Sequence, residues 1–282
     1  MTIPAPITPV DLLLWVVFPY ITITIFWVGI VWRYKTDKYG WTSRSSQMYS
    51  GGSLIRWASP LFHVGILMVF AGHLLGLMIP KTWTGAVGIS DNVYHLLAVG
   101  GGMTGGIMAV VGIMLLIYRR RTTGGVFLAT TANDKLMYVL LAVPIFLGFI
   151  AVIINQIVPG GHGYDYRETI SPWLRSLFIF QPRPELMVDV PLSFQLHVIS
   201  AFLLFAALPF TRLVHVFSAP VQYTTRPYIV YRGREAAHTV RRPDRGWEPI
   251  VGPVSLQDSE STGIRSEAQD MRQDHEPHRH TS

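Results

Sequence analysis

The sequence predicts an all-α integral membrane bundle of five transmembrane helices, with the N-terminus outside, the C-terminus cytoplasmic and a disordered C-terminal tail. Three observations predict it. Half of the 282 residues are hydrophobic and only 14% are charged, where a soluble domain carries about 25%. The apolar residues run in long uninterrupted blocks, the mark of membrane spans. The Lys and Arg residues collect in alternate loops, as the positive-inside rule requires.

The blocks fall in order. Val10–Val31 is read as a permanent span, because the residues before it form neither a basic n-region nor a small-residue cleavage site. Pro60–Ile79, Asn92–Ile117, Lys135–Val158 and Val190–Phe210 follow, each near the ~20 residues a helix needs to cross a bilayer. The last helix is expected to run on to Phe217, beyond the hydrocarbon. The connection Pro159–Asp189 is the longest on the outer side, and a short helix is expected there near Trp173–Phe180. Residues 1–231 form the membrane domain. From Arg232 the chain turns polar, with eight Arg against nine acids and few large apolar residues. Residues 232–282 cannot bury enough apolar surface to fold alone and are expected to be disordered.

Charge sets the orientation. Arg33, Lys35, Lys38, Arg44 and Arg56 lie between spans one and two. Arg119, Arg120, Arg121 and Lys135 lie between spans three and four, and Arg212 and Arg226 follow span five. Those eleven face only four on the other side: Lys81, Arg167, Arg175 and Arg183. The eleven belong in the cytoplasm. The formal charge of +6 is thus a topology signal and no nucleic-acid footprint. The chain has no cysteine, which excludes disulfides, cysteine-ligated iron–sulfur clusters and covalent c-type haem.

Four of the ten histidines sit inside apolar helical segments: His63, His73, His197 and His215. An ionisable side chain at membrane depth is costly and marks a functional site by default. One such histidine is readily explained by an interhelical hydrogen bond. Two on span two and two on span five are not. His63 and His73 are ten residues apart, ~15 Å along an ideal helix and rotated by ~80°. His197 and His215 are eighteen apart, ~27 Å and five full turns if one helix carries both. Spans two and five run in opposite directions, so topology pairs His63 with His215 on the inner side and His73 with His197 on the outer side. The two levels lie ~20 Å apart. Closed metal-ion sites take about four protein ligands. Two per site suit haem, whose porphyrin supplies the other four nitrogens. Gly65, Gly72 and Gly76 on span two, and Gly100-Gly101-Gly102-Met103-Thr104-Gly105-Gly106 on span three, allow close helix approach and leave room for a flat macrocycle.

Two stretches carry a family resemblance. One runs from Ser45-Ser46-Gln47-Met48 through Pro60-Leu61-Phe62-His63-Val64-Gly65 to Gly72-His73-Leu74-Leu75-Gly76. The other is Phe210-Thr211-Arg212-Leu213-Val214-His215-Val216-Phe217-Ser218-Ala219-Pro220-Val221-Gln222-Tyr223. Both resemble the gamma subunit of respiratory nitrate reductase, and the likeness covers roughly Leu12 to Tyr231. The resemblance implies a five-helix subunit of the bacterial inner membrane that binds two haem b groups. It implies oxidation of a quinol, ubiquinol or menaquinol, near the outer haem. Electrons then pass to a cytoplasmic iron–sulfur subunit and a molybdenum catalytic subunit, with no molybdenum site on this chain. The family's four ligands fall on His63, His73, His197 and His215, and a glycine of its outer-haem and quinol environment falls on Gly72. Some members carry a lysine at the start of span three, where this sequence has Val93, with His95 two positions on.

His95 is therefore the candidate proton acceptor for quinol, since a base with a pKa near working pH suits that task. His162 is read as a surface residue of a Gly-rich loop. Arg56 and Arg212 are candidate partners of haem propionates, because arginine matches a carboxylate bidentately. The tail histidines His238, His275, His278 and His280 are read as solvated. The segments Tyr34–Arg56 and Ala219–Tyr231 are expected to form the docking face for the cytoplasmic partner. Two other readings stay open: a di-haem anchor of a different reductase, and a transporter or structural membrane protein with incidental histidines.

Overall fold

A computed structural model describes residues 6–37, 40–41, 52–158 and 163–218. Among these residues every regular element is helical. Five helices are long and apolar enough to cross a membrane: Pro9–Thr36, Ser53–Met78, Asp91–Thr122, Ala132–Ile157 and Leu192–Phe210. They are called spans one to five below. Spans one to four extend past the expected apolar blocks, because polar residues start the helices and basic residues finish them. Thr8 and Asp11 form a capping box at the start of span one, and Thr131 and Asp134 form another at span four. The Ser90 hydroxyl caps span three by accepting from the Val93 N–H. Arg33 and Lys35 close span one, and Arg119, Arg120 and Arg121 close span three, where cations complement the helix dipole.

The basic ends converge. Arg33 of span one donates to the carbonyls of Pro209 (2.8 Å) and Thr211 (3.2 Å) at the end of span five. Arg212 and Arg120 both meet Asp134 at the start of span four. At the opposite end Lys81 ion-pairs with Asp91, Asp165 and Glu168. The hydrogen bonds to Asp165 and Glu168 hold its pKa above the ordinary lysine value. Spans one, two and four each carry one π-helical turn at this end: Leu13–Val17, Leu74–Met78 and Ile153–Ile157.

Spans two and three make the tightest contact. A Cβ on Gly65 would fall 2.5 Å from the backbone nitrogen of Ala109, and one on Gly112 would fall 2.5 Å from that of Phe62. Only glycine admits such an approach. Phe62 against Gly112, Gly65 against Ala109 and Gly76 against Tyr94 define an antiparallel register. It brings Gly72 level with Gly100.

The segment after span four caps the end opposite the basic one. Its helix is Ile170–Phe178, which starts three residues and ends two residues before the expected Trp173–Phe180. Trp173 is 1% exposed, donates from Nε1 to the Trp15 carbonyl at 3.0 Å and meets the Trp15 ring edge-on at 5.8 Å. The last carbonyls of span two have no intrahelical donor. Ser171 serves Gly76 O at 2.9 Å, and Arg175 serves Leu77 O at 2.8 Å.

One expectation is corrected. Span five does not continue as a single helix to Phe217. Its α-helix ends at Ala207, a 3₁₀ turn covers Leu208–Phe210, Thr211 is extended at ψ 178°, and a second 3₁₀ turn runs Arg212–Ser218. Pro209 has no N–H to continue the ladder. The five-turn, single-face spacing of His197 and His215 therefore does not hold. The tail 232–282, the segment Ala219–Tyr231, most of the Tyr34–Arg56 connection, His162 and the four tail histidines lie outside the described residues.

Candidate functional site

The folded chain brings the four membrane-depth histidines together as two facing pairs. The ring centroids of His63 and His215 lie 6.4 Å apart. Those of His73 and His197 lie 5.8 Å apart. A metal at about 2 Å from one nitrogen of each of two imidazoles separates the centroids by roughly 6 Å. Span two is uninterrupted α-helix from Ser53 to His73, so the ~80° between its two histidines persists. It is met on the other side, where the break at Thr211 takes His215 off the helix that carries His197.

Each ring is oriented in the same way. Nδ1 of His63 lies 2.7 Å from Ser59 O, and Nδ1 of His73 lies 2.7 Å from Val69 O. Nδ1 of His197 lies 3.0 Å from Pro144 O, and Nδ1 of His215 lies 2.6 Å from Arg212 O. A carbonyl only accepts, so in all four rings Nδ1 carries the proton and donates it. Nε2 is the ring nitrogen that these carbonyls leave for another partner. This is how proteins set the tautomer of a metal-ligating histidine.

The donor set at each level is two imidazoles. Among the described residues no three His, Cys, Asp or Glu side chains converge as a metal-ion site. An ion held by protein alone would need such a group. Haem needs only the two axial nitrogens. A Cβ on Gly72, Gly100, Gly101 or Gly102 would meet no atom within 4 Å, and Gly72, Gly100 and Gly101 are exposed. These glycines differ from Gly65 and Gly112, which serve packing. Two facing imidazoles at each level are the donor set that a b haem takes from its protein.

The other expected site residues fall as follows. His95 lies half-buried near the start of span three, and Gly72 is exposed beside His73. Arg56 is exposed, seven residues before His63 and so two turns away on the same face. Arg212 grips the carboxylate of Asp134, Nε to Oδ1 at 2.7 Å and NH2 to Oδ2 at 2.9 Å. Next to Gly76 stands a polar group that no sequence pattern had marked. The Tyr166 hydroxyl is pushed up in pKa by burial and by the Tyr94 hydroxyl. Arg167 lies 3.7 Å over the Tyr94 ring and donates to the Thr84 hydroxyl at 3.0 Å.

Two residues of the site were missed from sequence. Gly148 lets the His197 ring lie against span four, and the Pro144 carbonyl receives its proton. The one signal was a Pro and a Gly four residues apart on one face of a bulky apolar helix.

Five apolar spans around two facing imidazole pairs define a multi-pass membrane protein with two bis-histidine sites. Comparison with known proteins names the family. A family model described as nitrate reductase gamma subunit matches residues 11–234. The nitrate reductase gamma chain of Bacillus subtilis is 40% identical over 222 residues, which cover 79% of this chain and 98% of that one. The respiratory nitrate reductase 2 gamma chain of Escherichia coli is 33% identical over 219 residues, 77% of this chain and 95% of that one. The nitrate reductase-like protein NarX of Mycobacterium tuberculosis is 53% identical over 235 residues, 83% of this chain and 36% of that one. This chain thus matches about a third of NarX and nearly all of the gamma chains. It belongs to the nitrate reductase gamma subunit family, and it is a multi-pass protein of the bacterial inner membrane.

Proposed function

We propose that this chain is the di-haem b membrane anchor of a respiratory nitrate reductase complex. In this reading it oxidises quinol near the outer face and passes electrons inward to a cytoplasmic iron–sulfur subunit, which feeds a molybdenum subunit. The observation that carries it is the common ring geometry. Four histidines at two levels each donate from Nδ1 to a carbonyl, and each faces a partner ring at the spacing of a shared metal. The facing of the rings in two pairs is what sets this arrangement apart from isolated histidines, since a lone intramembrane histidine can also donate to a carbonyl one turn back. The printed names of the gamma chains support nitrate as the terminal acceptor.

When bound, haem b supplies a one-electron carrier at each level. The protein's tasks are to hold and orient. His63 and His215 hold the inner site, and His73 and His197 the outer one. The charge distribution puts the basic end in the cytoplasm. Arg56, two turns from His63, would pair with an inner haem propionate. Quinol docks beside Gly72, His73 and the start of span three. His95 takes up a quinol proton and releases it outside. Charge separates because electrons cross inward while protons stay out.

The test is a redox-titrated optical spectrum of membranes that contain the assembled complex. Added quinol should reduce two b-type components, and nitrate should reoxidise both. Bands that nitrate leaves reduced would point to a different reductase. No quinol-reducible b-type band at all would end the haem reading.

A further inference from the structure

We infer that Asp134, through Arg212, is the positioning residue of the inner histidine pair; the inference rests on the haem reading of His63 and His215. Asp134 is 2% exposed and sits in the first turn of span four. A carboxylate at that depth needs a cation. Arg212 supplies it as a two-point fork, at 2.7 and 2.9 Å. Arg120 stands 3.6 Å away on the other side. The Thr131 N–H donates to Oδ2 at 2.9 Å, which fixes the carboxylate against its own helix.

Arg212 is also the residue whose carbonyl, 2.6 Å from Nδ1, orients the His215 ring. The chain therefore runs from a buried acid to a guanidinium, through one residue's backbone, to a ligand. Two neighbours complete the clamp. Asn133 donates to Phe210 O at 3.1 Å. Arg33 donates to Pro209 O and Thr211 O at 2.8 and 3.2 Å. Every carbonyl from Pro209 to Arg212 is thus engaged by a side chain. The α-helix of span five does not reach His215, which sits in the short 3₁₀ turn Arg212–Ser218 beyond the break at Thr211. The polar clamp orients it instead. Nothing comparable is needed at the other three ligands, which sit within regular helix.

The test uses membranes that carry the assembled complex, with the outer haem as internal reference. Two variants are made: Asp134→Asn, which removes the charge, and Asp134→Glu, which keeps it but lengthens the arm by one methylene. The readouts are haem content per chain, the low-spin electron paramagnetic resonance signals of the two haems and their reduction midpoints. Asp134→Asn should lose or shift the inner signal and midpoint and leave the outer ones in place. Asp134→Glu should insert normally and show a smaller shift, again of the inner haem alone. If the Asn variant fails to accumulate, the Glu variant decides by the same readout. An inner signal and midpoint identical to the parent's in an inserted variant would overturn the inference. So would equal shifts of both haems, which would mean a general packing role. A parent protein without haem would instead refute the reading beneath it.

Discussion

Gly148 of span four lies so close to His197 of span five that a Cβ on the glycine would fall 2.7 Å from the ring's Cε1. That proximity is what lets Nδ1 of His197 reach the Pro144 carbonyl across the helix interface. The outer pair is therefore shaped by a helix that contributes no ligand. Gly148→Ala should push the ring off Pro144 O and away from His73. The expected outcome is loss of the outer haem, with the inner haem kept, read by pyridine haemochrome content. An unchanged outer haem would show that the ring has slack.

The glycines of span two should separate into two classes. Gly65→Ala meets backbone atoms at 2.5 Å, so it should force spans two and three apart and lower the yield of inserted protein with both haems. Gly72→Ala meets no protein atom within 4 Å, so the fold should survive. If that space serves the outer haem and quinol, Gly72→Ala should still slow quinol oxidation severalfold. Insertion measured by membrane yield, and turnover measured with quinol, check the two separately.

His95 tests the proton step. Quinol oxidation in His95→Ala should slow, because the variant lacks the side-chain base that accepts the proton. Kinetics equal to the parent's across the pH range would remove His95 from the proposal.

The cap opposite the basic end makes a stability prediction. Trp173 is 1% exposed and packs edge-on against Trp15. Trp173→Ala should cost about 3–5 kcal/mol, the usual range for a buried aromatic. The lowered thermal midpoint should be measurable in detergent. Substitution of Phe178, which is exposed on the same helix, should leave it within error.

How much of this was legible in the sequence depends on the kind of interaction. The five spans follow from composition, because a helix in lipid must be apolar along its whole length. Which histidine rings face each other was legible too, since antiparallel spans leave only one way to match ends. The helix around Trp173 could be placed only to within three residues, because a capping segment follows the ends of other helices and no period of its own. The break at Thr211 escaped because hydropathy does not see the backbone. Pro209 was in plain view, yet the apolar run Leu213–Phe217 read as continuous helix. Asp134 entered the sequence reading only as one of few acids among the basic loops. That it is buried, and that it grips Arg212, depends on how spans four and five meet, which no local pattern records. The Gly148–His197 approach is hidden for the same reason.

The ~80° rotation between His63 and His73 illustrates the difference. On an ideal helix it points the two rings in different directions from span two. The folded chain leaves span two regular and moves His215 instead. His215 meets His63 from the 3₁₀ turn beyond the break, and His197 meets His73 from the α-helix before it.

The proposed function requires two haems, one held by His63 with His215 and one by His73 with His197. Haem content and low-spin resonance signals of the purified complex, for the parent and for His73→Ala, test this. Two b haems per chain are expected in the parent. One is expected in His73→Ala, with the inner signal intact and quinol oxidation abolished. Two unaltered haem signals in His73→Ala, or fewer than two haems in the parent, would contradict it.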